Sequence, residues 1–231
     1  MSLFDNLNRN KKESGILESV LSSEIVQEIE AALHFCISSG FFSETEIYEQ
    51  AMQAVKDIYI DNDIAIPPDS IIKQMIQRFA ADTSLPANGS DNYIRLRNVF
   101  DLLNRERIIA IHFAGYTLDD GFDEVDTVFD FMKSNNIPRR GYCFYHQQDI
   151  ERAMDKSIQC LYLAFHSLNG DVQLATEVGE RISELLAENG FDVEWDNSPD
   201  SRIKINNFLW DKKYDGEDYG ADRAVRIMRD L

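Results

Sequence analysis

The chain has 231 residues, of which 44% are hydrophobic and 28% are charged, a composition typical of one large or two small globular domains. This composition excludes a disordered chain, a collagen and a disulfide-stabilised miniprotein. Acidic residues outnumber basic ones by 41 to 23, so the formal charge is −18 and the isoelectric point is about 4.5. Because phosphate backbones and anionic lipids repel such a chain, we expect neither nucleic-acid nor membrane binding.

The first part of the chain is predicted to be helical. Apolar residues recur at helical spacing from an N-cap at Ser23 to a stop at Gly40. A capping box formed by Ser43 and Glu46 then opens a second helix. A third helix begins at Pro68, since proline is favoured at the first helical position. The pattern predicts an all-α N-terminal domain.

A segment rich in proline, glycine and small polar residues follows at 83–90. Such clusters mark linkers and turns. We therefore place a domain boundary here, which gives a helical domain of residues 1–86 and a second domain of residues 87–231. No internal repeat or low-complexity segment is visible.

Strands and helices alternate after the linker. The predicted helices are 91–107, 122–134, 149–156 and 171–189, and the predicted strands are 108–113, 141–146, 160–166, 191–195 and 202–205. The first three strands are apolar on both faces, which is typical of central strands. The last two alternate in polarity, as the strands of an antiparallel edge hairpin do. The pattern predicts an α/β domain with a mixed sheet of about five strands and interleaved helices, followed by a weakly helical end.

The cysteines indicate a reducing compartment. Cys36, Cys143 and Cys160 are far apart and lie in apolar runs, which is typical of buried thiols. The polar segment 1–12 lacks the apolar core of a signal peptide, and no run approaches the 18 apolar residues of a membrane span. We therefore expect a cytoplasmic protein.

The most specific stretch of sequence begins at residue 141 and reads Gly-Tyr-Cys-Phe-Tyr-His-Gln-Gln-Asp-Ile-Glu-Arg-Ala, followed by Leu-Tyr-Leu-Ala-Phe at 161–165. It resembles a family of bacterial proteins of unknown function. The segments 91–121 and 190–204 resemble the same family, so the similarity covers about 120 residues, all after the linker. The resemblance implies the α/β fold and brings no activity with it. Relatives carry a cysteine-rich loop after the first strand, whereas 113–121 here has no cysteine, so no thiolate metal site is expected.

Three of the four histidines, His112, His146 and His166, lie at the ends of predicted strands. Ligands bind outside the carboxyl ends of parallel strands, so three parallel strands would bring these side chains to one edge of the sheet. A metal or acid–base site could then form with neighbouring aspartates. Those aspartates are Asp119, Asp120 and Asp149. The competing interpretation is that each histidine is a hydrogen-bonded neighbour of the core.

Four polar residues lie between the second strand and the following helix: His146, Gln147, Gln148 and Asp149. An imidazole, two amides and a carboxylate beside a helix N-terminus form a surface that could bind a polar ligand or a peptide. The competing interpretation is structural. Asp149 then caps the helix, the glutamines face water and His146 braces the turn.

Residues 118–130 contain six acids and no base. Calcium binds such loops, yet the spacing is not that of an EF-hand. Acids at the start of a helix also interact favourably with the helix dipole, and we favour that structural interpretation.

No familiar catalytic signature is present, since the chain lacks a G-x-S-x-G elbow, a Walker A loop, H-E-x-x-H and G-x-G-x-x-G. We therefore predict an acidic interaction protein that recognises a basic protein partner, similar by analogy of charge to an immunity protein or antitoxin. The alternative is a small-ligand or metal-dependent enzyme with His146 as ligand or base. A scaffold without a ligand is a third interpretation. We predict no cofactor and no resident metal, and the sequence leaves the oligomeric state open.

Overall fold

The structure is a computed structural model that describes residues 22–82 and 91–230, and these residues hold eight helices and five strands. The described residues before 83 pack with Lys212–Gly216 as one compact unit, and the rest form a second unit. The predicted linker and the polar N-terminal segment lie outside the described residues. The domain boundary at residue 86 therefore stays a prediction.

The first unit is built from three helices: α1 (Ser23–Ser38), α2 (Glu44–Asp61) and α3 (Asp69–Asp82). The capping box of α2 is present, with the Ser43 N–H 2.8 Å from the Glu46 carboxylate and the Glu46 N–H 3.2 Å from the Ser43 hydroxyl. The N-cap of α1 is Ser22, one residue before the predicted Ser23, because the Ser22 hydroxyl accepts a hydrogen bond from the N–H group of Ile25. The predicted all-α start of the fold is confirmed.

The second unit alternates helices and strands. In chain order they are α4 (Asn92–Arg105), β1 (Ile108–Ile111), α5 (Leu118–Ser134), β2 (Gly141–Phe144), α6 (Gln147–Met154), β3 (Leu161–Ser167), α7 (Val172–Glu188), β4 (Asp192–Glu194), β5 (Ile203–Asn206) and α8 (Ala221–Arg229). The order across the sheet is β1-β2-β3-β5-β4. The β1–β2 pair is parallel, and the other three pairs are antiparallel. The predicted mixed five-stranded sheet and its closing hairpin are confirmed.

The prediction that β1 is central is wrong, since β1 lies at an edge of the sheet. All four of its residues are nevertheless buried, because α4 and α8 pack against it. The N–H group of His112, just after β1, donates to the carbonyl of Tyr219, just before α8, at 3.2 Å. Helices thus cover the edge that another strand would otherwise occupy, and they protect it from pairing with a second chain.

Helices cover both faces of the sheet. On one face, α5 and α8 pack Val128, Met132 and Met228 against Ile111 and Phe144. On the other face, α4 packs against β1, and α7 packs against β2, β3 and β4. The alternating βα pattern therefore gives the layered α/β architecture that the sequence predicts.

Two helix starts differ from the prediction, and both differences bear on the candidate site. Helix α5 begins at Leu118, four residues before the predicted Phe122, because Thr117 and Asp120 form a capping box. The N-cap residue of α6 is His146 and not Asp149. Asp149 is the third residue of the helix, the N3 position of the capping box. None of the described helices is long and apolar enough to cross a membrane.

Candidate functional site

The parallel strands β1 and β2 end side by side, and the loops that follow them form one surface. We call this surface the strand-end edge and define it as residues 112–120 and 145–149. The Gln147 N–H group donates to the carbonyl of Gly115 at 3.0 Å, which joins the two loops. The predicted site residues that lie on this edge are His112, Asp119, Asp120, His146, Gln147, Gln148 and Asp149. These candidates thus lie in two neighbouring loops, although His112, His146 and Asp149 are buried there.

The expectation that three histidines meet at this edge is wrong. Strand β3 runs antiparallel to β2, and His166 pairs with Tyr142 near the start of β2. His166 therefore lies toward the other end of the strands, away from the strand-end edge. Its Nδ1 is 3.2 Å from the Ser167 carbonyl there. Among the described residues, no three His, Cys, Asp or Glu side chains are grouped so that they could hold a metal ion.

His112 belongs to a buried aromatic cluster. Its Nδ1 lies 2.8 Å from the Tyr145 hydroxyl, and its ring stacks on Phe100 with the ring centres 4.3 Å apart. Tyr93 and Tyr219 complete the cluster at 5.5 Å and 5.4 Å from the imidazole. The side chain thus has the environment of a core histidine, and the structural interpretation accounts for it.

Asp149 is the centre of a charged cluster. Its carboxylate is fully buried, and its two oxygens face two different arginines. Arg152 Nη1 is 3.1 Å from Oδ1, and Arg202 Nη2 is 2.5 Å from Oδ2. The backbone N–H of His146 also donates to Oδ2, at 3.3 Å. Buried carboxylates require such partners, because removal from water without them is very unfavourable.

The imidazole of His146 lies against this cluster. It is almost fully buried, and its Nδ1 is 3.3 Å from Asp149 Oδ2. Burial lowers the pKa of His146, Asp149 and Asp120 act in the opposite direction, and Arg202 and Arg152 reinforce the lowering. Since its ordinary pKa is already near 6.5, the neutral imidazole is the favoured form at neutral pH.

The remaining polar candidates have local partners. The Gln147 side-chain amide donates to Glu151 at 2.9 Å, and the main-chain carbonyl of Gln148 accepts a hydrogen bond from Arg152 at 3.2 Å. The carboxylate of Asp120 accepts hydrogen bonds from Thr117, which hold the pKa of Asp120 below its usual value. Asp120 is thus a capping residue, whereas the side chain of Asp119 is exposed and forms no hydrogen bond with the described residues.

The sequence analysis missed both arginines of the Asp149 cluster. Arg152 lies three residues after Asp149, a spacing that brings side chains together on a helix, so it could have been found. Arg202 precedes β5 and lies 53 residues from Asp149, and no local pattern predicts that contact. Arg202 also reaches the Tyr162 carbonyl at 3.2 Å, and its guanidinium stacks over the Tyr162 ring.

A second candidate surface is the exposed side of α5, which begins at the strand-end edge. Four aspartates lie at spacings of four, three and four residues, which places them along one line of the helix. We call them the acidic row: Asp119, Asp123, Asp126 and Asp130. All four are exposed, and none has an ion-pair partner in the part of the chain that the structure describes.

Exposed apolar side chains border the acidic row. Tyr116 is 54% exposed, Leu118 is 41% exposed and Phe122 is 37% exposed, and we call these three residues the apolar ridge. Phe122 contacts the rings of Tyr142 and Phe144 edge to face, so the ridge is anchored on the sheet. An acidic line beside an apolar ridge is a surface that complements a basic, partly apolar partner.

Comparison with known proteins places the chain in a family. The model of a domain of unknown function (DUF6891) matches residues 22–214. The match confirms the resemblance to an uncharacterised family, and it extends over the helical residues that the sequence resemblance did not cover. No curated protein and no solved structure matches the chain significantly.

Proposed function

Because the chain belongs to the DUF6891 family, a domain of unknown function, we propose its function from its own surface: it is a cytoplasmic binding protein that recognises a basic protein partner through α5. The observation that carries this proposal is the acidic row, whose four exposed carboxylates have no ion-pair partner among the described residues. The role is analogous to that of an immunity protein or antitoxin, on charge alone.

Interaction with the helix dipole, the interpretation that the sequence favours, explains only Asp119 of the acidic row. Favourable interaction with the helix dipole is confined to the first turn, and Asp123, Asp126 and Asp130 lie beyond it. Carboxylates four residues apart repel each other by roughly 0.2–0.5 kcal/mol per pair, and the row contains two such pairs. The row therefore destabilises the free protein, and a basic partner would relieve that repulsion.

The apolar ridge supplies the second part of the proposed interface. Lysine and arginine side chains have long apolar stems that cover apolar surface while the charged head reaches an acid. A partner helix or loop that carries both basic and apolar residues would therefore contact the ridge and the acidic row together. Burial of exposed apolar area supplies affinity, and charge complementarity supplies orientation and a fast association rate.

Two properties of the whole chain support the proposal. Its formal charge of −18 attracts basic partners over a distance of about one Debye length, roughly 8 Å at physiological salt. Cys36, Cys143 and Cys160 are free and buried, which suits a reducing cytoplasm. Convergence of three histidines would have favoured the enzyme alternative, and His112, His146 and His166 occupy three different environments.

The test is affinity capture with the tagged full chain at low and high salt, using a variant of the acidic row. Asp123, Asp126 and Asp130 are changed together to asparagine, which removes three charges and preserves side-chain size. The expected result is a Lys/Arg-rich protein that the wild type retains at low salt and releases at high salt. The asparagine variant should retain at least about tenfold less of it.

A matched control separates local contact from general charge. The exposed side of α7 carries Glu177, Glu180 and Glu188. Their replacement by glutamine removes three negative charges, as many as the α5 variant loses. This control should retain the partner within about twofold of wild type. Equal loss in both variants, or loss in neither, would overturn α5 as the binding surface. A Tyr116→Ser, Leu118→Ala variant keeps every charge and should also lose the partner at low salt.

A further inference from the structure

The Asp149 cluster carries more positive charge than its carboxylate balances. Two arginines face one buried aspartate, which leaves a formal surplus of one positive charge. The chain holds 41 acidic residues, yet neither Arg152 nor Arg202 has a second carboxylate partner among the described residues. A purely structural ion pair would need one arginine only, and a second one adds repulsion between two cations.

Each of the two guanidinium groups has N–H donors that form no hydrogen bond with the described residues. Arg202 uses Nη2 for Asp149 and for the Tyr162 carbonyl, while its Nε is buried and has no hydrogen-bond partner within the described ranges 22–82 and 91–230. Arg152 uses only Nη1, for Asp149 and the Gln148 carbonyl. A buried donor without a partner is unfavourable, and the donors that a ligand from water can reach are those on the exposed parts of the two guanidinium groups.

The cluster is both fixed and accessible. Asp149 holds the two guanidinium groups near each other, because its two carboxylate oxygens each contact one of them. The Tyr162 ring lies under the Arg202 guanidinium at 5.5 Å and limits its orientation. The side chains are 41% exposed for Arg152 and 32% exposed for Arg202, so a small ligand can reach them from water.

We propose that Arg152 and Arg202 form a binding site for an oxyanion group, the phosphate or carboxylate of a small ligand. Guanidinium groups present parallel N–H donors that match the oxygens of either group. The start of α6 adds the positive end of a helix dipole next to the site. Asp149 is then a positioning residue that aligns the arginines, and the surplus charge is the part that the ligand neutralises. None of the residues of this site belongs to the acidic row or to the apolar ridge.

The test is titration of the full chain with inorganic phosphate and, separately, with acetate. Chloride keeps the ionic strength constant, and the NMR signals of the arginine Nε–H groups report on the site. The expected result is a saturable shift of the Arg152 and Arg202 signals below about 20 mM ligand. Tighter binding of phosphate would identify a phosphate ligand, and tighter binding of acetate would identify a carboxylate ligand.

Variants decide whether the two arginines form the site. Arg152→Gln keeps the Arg202–Asp149 pair and should weaken binding at least about tenfold. Arg226→Gln, which removes an exposed arginine of α8, should bind within about twofold of wild type. Arg202→Lys keeps a positive charge beside Asp149 but loses the planar set of N–H donors of the guanidinium group, and it should also weaken binding. No saturable shift in the wild type, or equal weakening by Arg226→Gln, would overturn the proposal.

Discussion

Asp101 on α4 and Arg223 on α8 form an ion pair with two hydrogen bonds, Nε to Oδ1 at 2.8 Å and Nη2 to Oδ2 at 2.8 Å. Both side chains are mostly buried. Helices α4 and α8 both pack against β1. The ion pair between Asp101 and Arg223 therefore links the two helices that cover this edge strand. A carboxylate and a guanidinium in this parallel arrangement are geometrically specific, so the pair also fixes the angle at which α8 lies.

Asp101→Asn should destabilise the second unit. The variant loses a charge-assisted bond and leaves Arg223 mostly buried without its anion, so we expect a loss of about 1.5–3 kcal/mol in the free energy of unfolding. Urea denaturation followed by tryptophan fluorescence measures it. Asp222→Asn, on the exposed side of α8, is the control and should change stability by less than about 0.5 kcal/mol. Equal effects of the two variants would contradict a fastening role.

Gly121→Ala should destabilise the packing of α5 on β2. A Cβ atom at Gly121 would lie 2.2 Å from the Phe144 ring, closer than real atoms approach. Glycine to alanine in a helix normally stabilises by roughly 1 kcal/mol, while overpacking costs about 1–3 kcal/mol. We therefore expect a net loss of stability in a thermal melt, and partial recovery in the double variant Gly121→Ala, Phe144→Leu. A gain of stability in the single variant would show that the ring moves freely.

The element types and the sheet were predictable because their signals are local. Periodic apolar residues identified the helices, and alternating polarity identified the β4–β5 hairpin. The position of β1 was not predictable, since an all-apolar strand is buried either by neighbouring strands or by helices. Its cover includes α8, which the sequence marks only weakly because three arginines and one aspartate interrupt its apolar residues.

The candidate site was predictable only in part. His146, Gln147, Gln148 and Asp149 follow a strand and open a helix, so local pattern located them. The direction of β3 depends on pairing between distant segments, and it removed His166 from the edge. The contact between Asp149 and Arg202 is likewise non-local. The acidic row was visible in sequence, but its lack of ion-pair partners depends on the fold.

Glu106→Gln should reduce the sensitivity of the fold to acid. Arg181 forms two hydrogen bonds with Glu106, at 2.8 Å and 2.7 Å, and they lower the pKa of Glu106 below its usual 4.5. A lowered carboxylate pKa gives stability that is present above pH 4.5 and is lost as pH falls through the folded-state value.

The stability of Glu106→Gln should therefore fall less than that of the wild type in this acidic range. At neutral pH the variant should lose about 0.5–1 kcal/mol, since the pair is partly exposed. Glu184→Gln, which removes the more exposed partner of Arg181, is the control for melts between about pH 3 and pH 7. An acid response like that of the wild type in Glu106→Gln would contradict the assignment.

His146 should make the second unit less stable below neutral pH. Burial lowers the pKa of the imidazole from its ordinary 6.5, and the groups that face it are Asp149, Arg202, Arg152 and Asp120. The unfolded chain therefore takes up a proton at a higher pH than the folded chain does. The stabilisation is complete above pH 6.5 and is lost as pH falls through the folded-state value.

His146→Gln should flatten this pH dependence between about pH 5 and pH 8. An NMR titration of the His146 ring in the wild type, with and without inorganic phosphate, connects the measurement to the arginine site. A phosphate held by Arg152 and Arg202 adds negative charge near the imidazole and should raise the pKa of His146. An unchanged titration at saturating phosphate would show that the anion binds elsewhere.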